Sequence, residues 1–162
     1  MITNRPHRLE GFNYIGMQRY SITACTAFRQ PFFAEPDVAS ETRDVVVDVA
    51  QHSEFDLIVY CFMPDHLHLL LSARSDTSDL ERFMKLVKQK TGFTHKQDCG
   101  KNLWQPGYYD RVLRGDEDTL TVARYILENP VRAGLATRLR EWPLAGSPIY
   151  TWEELMTAWD KK

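Results

Sequence analysis

The stretch Phe55-Asp56-Leu57-Ile58-Val59-Tyr60-Cys61-Phe62-Met63-Pro64-Asp65-His66-Leu67-His68-Leu69-Leu70-Leu71-Ser72-Ala73 decides how this chain folds. Phe55 to Met63 is a nearly continuous apolar run rich in strand formers, which suits a strand buried on both faces. Pro64-Asp65 has the chemistry of a tight turn. His66 to Ala73 is therefore expected to return as the antiparallel neighbour. Successive strand residues point to opposite faces, so His66 and His68 share one face while Leu67 enters the other. Two imidazoles projecting side by side from a rigid strand make half of a metal site.

The flanking segments have their own periods. Met17 to Cys25 alternates and is rich in Tyr, Ile and Thr, as a first strand would be. Pro31 and Pro36 punctuate a loop, and Val38 to Gln51 carries Val38, Val45, Val46 and Val49 at helical spacing. Leu80, Phe83, Met84 and Val87 form the buried stripe of a second helix, with Asp76 or Ser78 as its expected N-cap. Tyr108 to Leu113 reads as a short fourth strand. Asp116-Glu117-Asp118 places acids where a helix N-terminus favours them, and Pro130 is expected to end that helix. The order β-α-β-β-α-β-α predicts an α+β fold of ferredoxin-like type, an antiparallel sheet with helices packed on it. The expectation is a single domain over residues 1–162, with 142–162 as a C-terminal tail or accessory helix.

Composition narrows the class. The chain has 162 residues, 43% hydrophobic and 26% charged, the proportions of an ordinary soluble globular protein. No apolar run approaches the roughly 18–20 residues that span a membrane. The polar, basic start has no apolar segment behind it, so secretion is not expected. Cys25, Cys61 and Cys99 lack any Cys-x-x-Cys spacing, which argues against a disulfide framework or a thiolate zinc site and suits a reducing cytoplasm. The net charge of -2 hides segregation. Gln30 to Asp56 holds seven acids against Arg43, and Arg82 to Lys101 holds six bases against Asp98. The basic block is either a solvated helix face or a source of phosphate contacts through Lys85, Lys88 and Lys90.

Further along, Tyr125 and Asn129 lie four residues apart, which puts them on one face of a helix. Asparagine is a poor helix former and costly if buried unpaired, so this pair does not read as ordinary core. Tyr108, Tyr109 and Trp104 read as strand and core packing. Arg111 and Arg114 read either as partners of Asp116 or Asp118, or as contacts to an anionic partner.

With these residues assembled, the chain resembles the single-tyrosine HUH transposases, an IS200-like superfamily, and within it the REP-associated tyrosine transposases. The resemblance rests on Met63-Pro64-Asp65-His66-Leu67-His68, on Leu103-Trp104-Gln105-Pro106-Gly107-Tyr108-Tyr109-Asp110-Arg111 with Arg114 following, and on Tyr125-Ile126-Leu127-Glu128-Asn129-Pro130-Val131. It implies cleavage and rejoining of single-stranded, hairpin-containing repeat DNA through a 5′-phosphotyrosine intermediate. It implies Mg²⁺ or Mn²⁺ held by His66, His68 and Asn129, with Tyr125 as nucleophile and Tyr109 in reserve. Relatives outside the subgroup commonly carry glutamine at the position of Asn129. Because the covalent link conserves the bond energy, no nucleotide cofactor is expected. Two other readings remain open: a non-catalytic nucleic-acid-binding module, with Tyr108 and Tyr109 suited to base stacking, or a metal-dependent hydrolase that activates water with help from Asp65. The sequence leaves open the DNA sequence recognised and the choice of monomer or dimer.

Overall fold

The computed structural model describes residues 9–161. Its centre is the hairpin just discussed. Phe55–Met63 (β2) and His66–Ala73 (β3) pair antiparallel with Met63 opposite His66. Arg19–Cys25 (β1) pairs with the other edge of β3, and Tyr109–Leu113 (β4) with the outer edge of β1. The short strand Ala145–Gly146 (β5) closes on β2, so the order is β4-β1-β3-β2-β5, antiparallel throughout. The expected α+β architecture is present, extended by one strand.

Two helices cover one face. Pro36–His52 (α1) starts with proline in its first turn, where the missing N–H costs nothing, and buries Ala39, Val46 and Val49. Leu80–Cys99 (α2) buries Leu80, Phe83, Met84 and Val87 and ends at Gly100, whose φ of 72° is the left-handed stop. Its N-cap is Asp79, which accepts from Arg82 N at 3.0 Å. Neither Asp76 nor Ser78 caps it, because Ser78 is buried with its hydroxyl donating to Glu54 O at 2.8 Å. α1 and α2 share one core with Tyr20, Ile22, Phe62, Leu67, Leu69 and Leu71.

The opposite face holds a second core. Thr119–Leu127 (α3) contributes Ala123, Ile126 and Leu127, and Trp152–Asp160 (α5) contributes Leu155 and Trp159. They pack on Ile58, Val59, Cys61, Met63 and Leu70. A register shift between Leu57 and Val59 makes this possible. One extra residue in β2 changes the parity of the strand, so Phe55 and Leu57 enter the first core while Val59, Cys61 and Met63 enter the second. The segment from Trp142 onward is anchored to that second layer: Trp142 Nε1 donates to Phe62 O at 2.8 Å and Trp159 Nε1 to Leu120 O at 3.0 Å. No described helix is long and apolar enough to cross a membrane.

The helix expected to run from the acids at 116–118 to Pro130 is shorter. Asp118 caps it by accepting from Leu120 N at 3.1 Å, while Glu117 stays outside and bonds Arg114 N at 2.9 Å. It ends at Leu127, and Asn129–Arg132 (α4) begins a separate turn with Pro130 near its start. Proline therefore opens the next turn as well as closing the last.

Candidate active site

Cross-strand partners in a sheet point to the same side. The register sets Cys25, His66 and Met63 in one row, and Tyr109, Thr23, His68 and Cys61 in the next. Both rows face the α3 and α5 layer, since Leu67, Leu69 and Leu71 occupy the other core. The strand thus delivers His66 and His68 to one side.

Each imidazole is held by its inner nitrogen. His66 Nδ1 lies 2.6 Å from Asp65 Oδ1, and His68 Nδ1 lies 3.0 Å from Thr23 Oγ1. With Nδ1–H donating in both, each Nε2 carries a lone pair, and neither Nε2 has a hydrogen-bond partner among the described residues. The rings stand edge to face with centroids 4.8 Å apart. Burial, helped by His66 and by the positive fields of Arg132 and Arg29, pushes the His68 pKa down to about 4. His68 is therefore the neutral base a metal requires at neutral pH. The thiol beside it is unsuitable, because burial pushes Cys61 up to about 12.

Among the described residues no group of three His, Cys, Asp or Glu side chains is placed to hold a metal. A divalent ion on the histidine pair would draw its remaining ligands from an amide, water or a substrate oxygen. Asp65 is already engaged: one oxygen takes His66, and the other takes Arg29 Nη1 at 3.4 Å. It orients a histidine, so the free carboxylate that a water-activating hydrolase needs is absent at this position.

The break between α3 and α4 shapes the second half of the site. Pro130 has no N–H, so the Ile126 carbonyl loses its helical donor. Asn129 Nδ2 replaces it at 2.9 Å and also reaches Tyr125 O at 3.4 Å. This use of the amide nitrogen leaves Asn129 Oδ1 with no hydrogen bond among the described residues. Arg132 Nη2 donates to Tyr125 O at 2.6 Å, and its guanidinium lies over the Tyr125 ring at 4.0 Å from the centroid. Tyr125 is 63% exposed. Arg132 thus touches the tyrosine and bears electrostatically on His68, joining the two halves.

The other expected residues divide. Tyr109 stands on the histidine side, two strands from His68, at 39% exposure, whereas Tyr108 turns into the first core. Arg111 shares that side, one row further on, and pairs closely with Glu117. Arg114 holds the β4–α3 turn through its backbone, its carbonyl accepting from Arg19 Nη2 at 2.7 Å. Lys85, Lys88 and Lys90 sit on α2, across the sheet from the histidines. Lys88 Nζ donates to Gln105 O at 2.7 Å and Gly107 O at 2.6 Å, and Lys90 pairs with Asp48 of α1 at 3.6 Å. The acidic and basic blocks of the sequence are therefore neighbours that partly neutralise each other. Trp104 is packed against Phe33 and donates to Thr91 Oγ1 at 2.8 Å.

Sequence reasoning missed Thr23, Arg29 and Arg132. Arg132 carried a signal, since 125, 129 and 132 follow an i, i+4, i+7 pattern. Thr23 and Arg29 carried none, because their placement depends on which strand pairs with β3.

The chain is similar in sequence and fold to known proteins. The chain is 27% identical over 104 residues to the REP-associated tyrosine transposase of Escherichia coli K12, covering 64% of this chain and 61% of that protein. It is 28% identical over 125 residues to the ISDra2 transposase TnpA of Deinococcus radiodurans, covering 72% of this chain and 87% of that one. The solved structure of a REP-associated tyrosine transposase bound to a REP hairpin superposes with a TM-score of 0.69 at 20% identity, over 86% of this chain and 82% of that one, and so shares the fold. The family model described as "Transposase IS200 like" matches residues 16–129, a span holding His66, His68, Tyr125 and Asn129, and on that match the chain belongs to the IS200-like transposase family.

Proposed function

We propose that this transposase cleaves and rejoins single-stranded, hairpin-containing repeat DNA, with Tyr125 as the nucleophile. The observation that carries the proposal is the pair of histidines with both inner nitrogens tethered and both outer ones unengaged, linked through Arg132 to an exposed tyrosine. His66 and His68 would hold the ion through Nε2, with Asn129 Oδ1 as third protein donor, and bound Mg²⁺ or Mn²⁺ supplies Lewis-acid polarisation of a non-bridging phosphate oxygen. Tyr125 Oη gives up its proton to solvent and attacks phosphorus. The bond from phosphorus to the 3′ oxygen breaks, and that oxygen takes a proton to leave as a 3′-OH. The 5′ phosphate remains esterified to Tyr125, and attack by a 3′-OH reverses the step. The bond energy is conserved, so no nucleotide cofactor enters. Arg132 fixes the tyrosine ring and places positive charge where the phosphate must sit. Lys85, Arg111 and Arg114 remain candidate contacts to the DNA backbone, Lys88 and Lys90 are engaged within the protein, and Tyr109 is the reserve nucleophile.

End-labelled hairpin DNA with single-stranded flanks, incubated with Mn²⁺ and run on a denaturing gel, tests the reading. The fragment downstream of the cut is expected to be linked to the protein through its 5′ phosphate, and the upstream fragment to leave with a free 3′-OH. The adduct should vanish with EDTA and with Tyr125→Phe, while Tyr125→Phe keeps its fold and DNA binding. Loss of the adduct in Tyr109→Phe but not in Tyr125→Phe would reassign the nucleophile.

A further inference from the structure

Immediately after β1 the chain makes a turn that no local preference explains. Phe28 and Arg29 both have positive φ, 53° and 55°. Residues with a Cβ rarely adopt that region, and two in succession are costly. The surroundings impose it. Thr26 is fully buried, its hydroxyl within 2.7 Å of Gln30 O and 3.0 Å of Asp65 O, and Ala27 N donates to Leu103 O at 2.9 Å. The consequences fall on two adjacent side chains. Arg29 reaches Asp65 and comes within 3.5 Å of His66 Nδ1. Phe28 is thrown outward to 92% exposure, with no ring contact among the described residues. The fold gains nothing from an aromatic ring there, and glycine would accept the same backbone without strain.

Phe28 borders a cavity of about 380 Å³, lined also by Gln30, Phe32, Lys101 and Asn102. This is a kit for a nucleotide: an aromatic platform for a base, two amides able to read a base edge, and a cation for phosphate. Asn102 also lines a second cavity of about 470 Å³, with Lys85, Phe93, Lys96 and Trp104, where Phe93 is 65% exposed. Asn102 joins these two cavities into one aromatic and basic track, which begins at the Phe28–Arg29 turn beside His66 and reaches the exposed side of α2.

We propose that Phe28 is a stacking platform for an unpaired DNA base flanking the scissile phosphate, and that Gln30 and Asn102 make the site selective for that base. The proposal rests on the reading of the chain as a nuclease of single-stranded DNA. The strained turn couples the platform rigidly to Arg29 and the histidines, which sets how far from the cut the base lies.

The test uses hairpin DNA carrying 2-aminopurine at one flank position at a time, with Tyr125→Phe protein so that no cleavage intervenes. At one position the probe's fluorescence should change on binding, and Phe28→Ala should abolish that change alone while weakening affinity roughly 5- to 100-fold. Phe28→Trp should retain both. Phe28→Gly should be at least as heat-stable as the parent yet bind as poorly as Phe28→Ala, separating stacking from folding. Unchanged affinity and probe signal in Phe28→Ala, with the wild type still forming its covalent adduct, would overturn the platform and leave the nuclease reading standing. Absence of both binding and adduct in the wild type would overturn the two together.

Discussion

Nδ1 of His68 meets Thr23 Oγ1 at 3.0 Å, a contact that, with Nδ1–H donating, leaves Nε2 for a ligand. Thr23→Val keeps the shape and removes the acceptor, so Mn²⁺ affinity should fall by about 10- to 100-fold with little change in melting temperature. Titration calorimetry checks it, and equal affinities would show that Thr23 orients nothing. The same histidine shapes the pH response of the metal-free protein. Its folded pKa of about 4 lies below the ordinary value of 6.5, mainly through burial. Between those values the unfolded chain binds more protons, so stability falls as pH drops from 6.5 toward 4 and levels off below. The contribution is at most about 3 kcal/mol. Urea unfolding in EDTA should show this slope in the wild type and a shallower one in His68→Gln. The histidine pair and its common face were legible because a two-residue period is local. Thr23 was not, because β1 meets β3 across more than forty residues of chain.

The α3–α4 junction turns on one missing proton. Pro130 deprives Ile126 O of its donor, and Asn129 supplies another. Pro130→Ala restores the N–H, which should lengthen α3 and free the Asn129 side chain. We expect equal or higher thermal stability together with slower adduct formation, since the turn that aims Asn129 and Arg132 is lost. Asn129→Asp separates the two duties of this residue. A carboxylate cannot donate to Ile126 O, yet it is a stronger ligand for a hard cation. Melting temperature should drop by a few degrees, for about 1–2 kcal/mol lost, while Mn²⁺ binds more tightly. Unchanged metal affinity in both Asn129→Asp and Asn129→Ala would remove Asn129 from the ligand set. The expectation that Pro130 simply ends the helix captured the break. It missed the second turn, which exists because Arg132 and Glu128 hold it, with Arg132 N donating to Glu128 O at 2.9 Å.

Across the molecule the charges are sorted by layer. The basic block lies on α2 beside the acidic α1, while Arg29 and Arg132 flank the histidines on the other side of the sheet. The lysines of α2 should therefore differ in what they do. Lys88 ties the loop at 105–107 to the helix through two carbonyls, so Lys88→Ala should cost about 1.5–3 kcal/mol of stability, read as a lower melting temperature. Lys85 lines the second cavity of the track, so Lys85→Gln should flatten the slope of log affinity against log salt by about 0.7 for single-stranded DNA. Lys90, paired with Asp48, should leave that slope unchanged. Equal slopes for all three proteins would place the track away from α2.

Strand limits, the turn at Pro64-Asp65, the shared face of His66 and His68 and the apolar stripes of α1 and α2 all follow from periods of two and 3.6 residues and from turn chemistry. Those rules act within a few residues, so they can be read along the chain. Strand order, the partners of each imidazole, the strained projection of Phe28, the contact of Arg132 with Tyr125 and its field at His68, and the layer occupied by each charge block do not follow from them. They arise where β1 inserts between β3 and β4 and where a single bulged residue in β2 redirects Val59, Cys61 and Met63 to the second core. Such contacts join distant segments, and only the closing of the sheet brings them together.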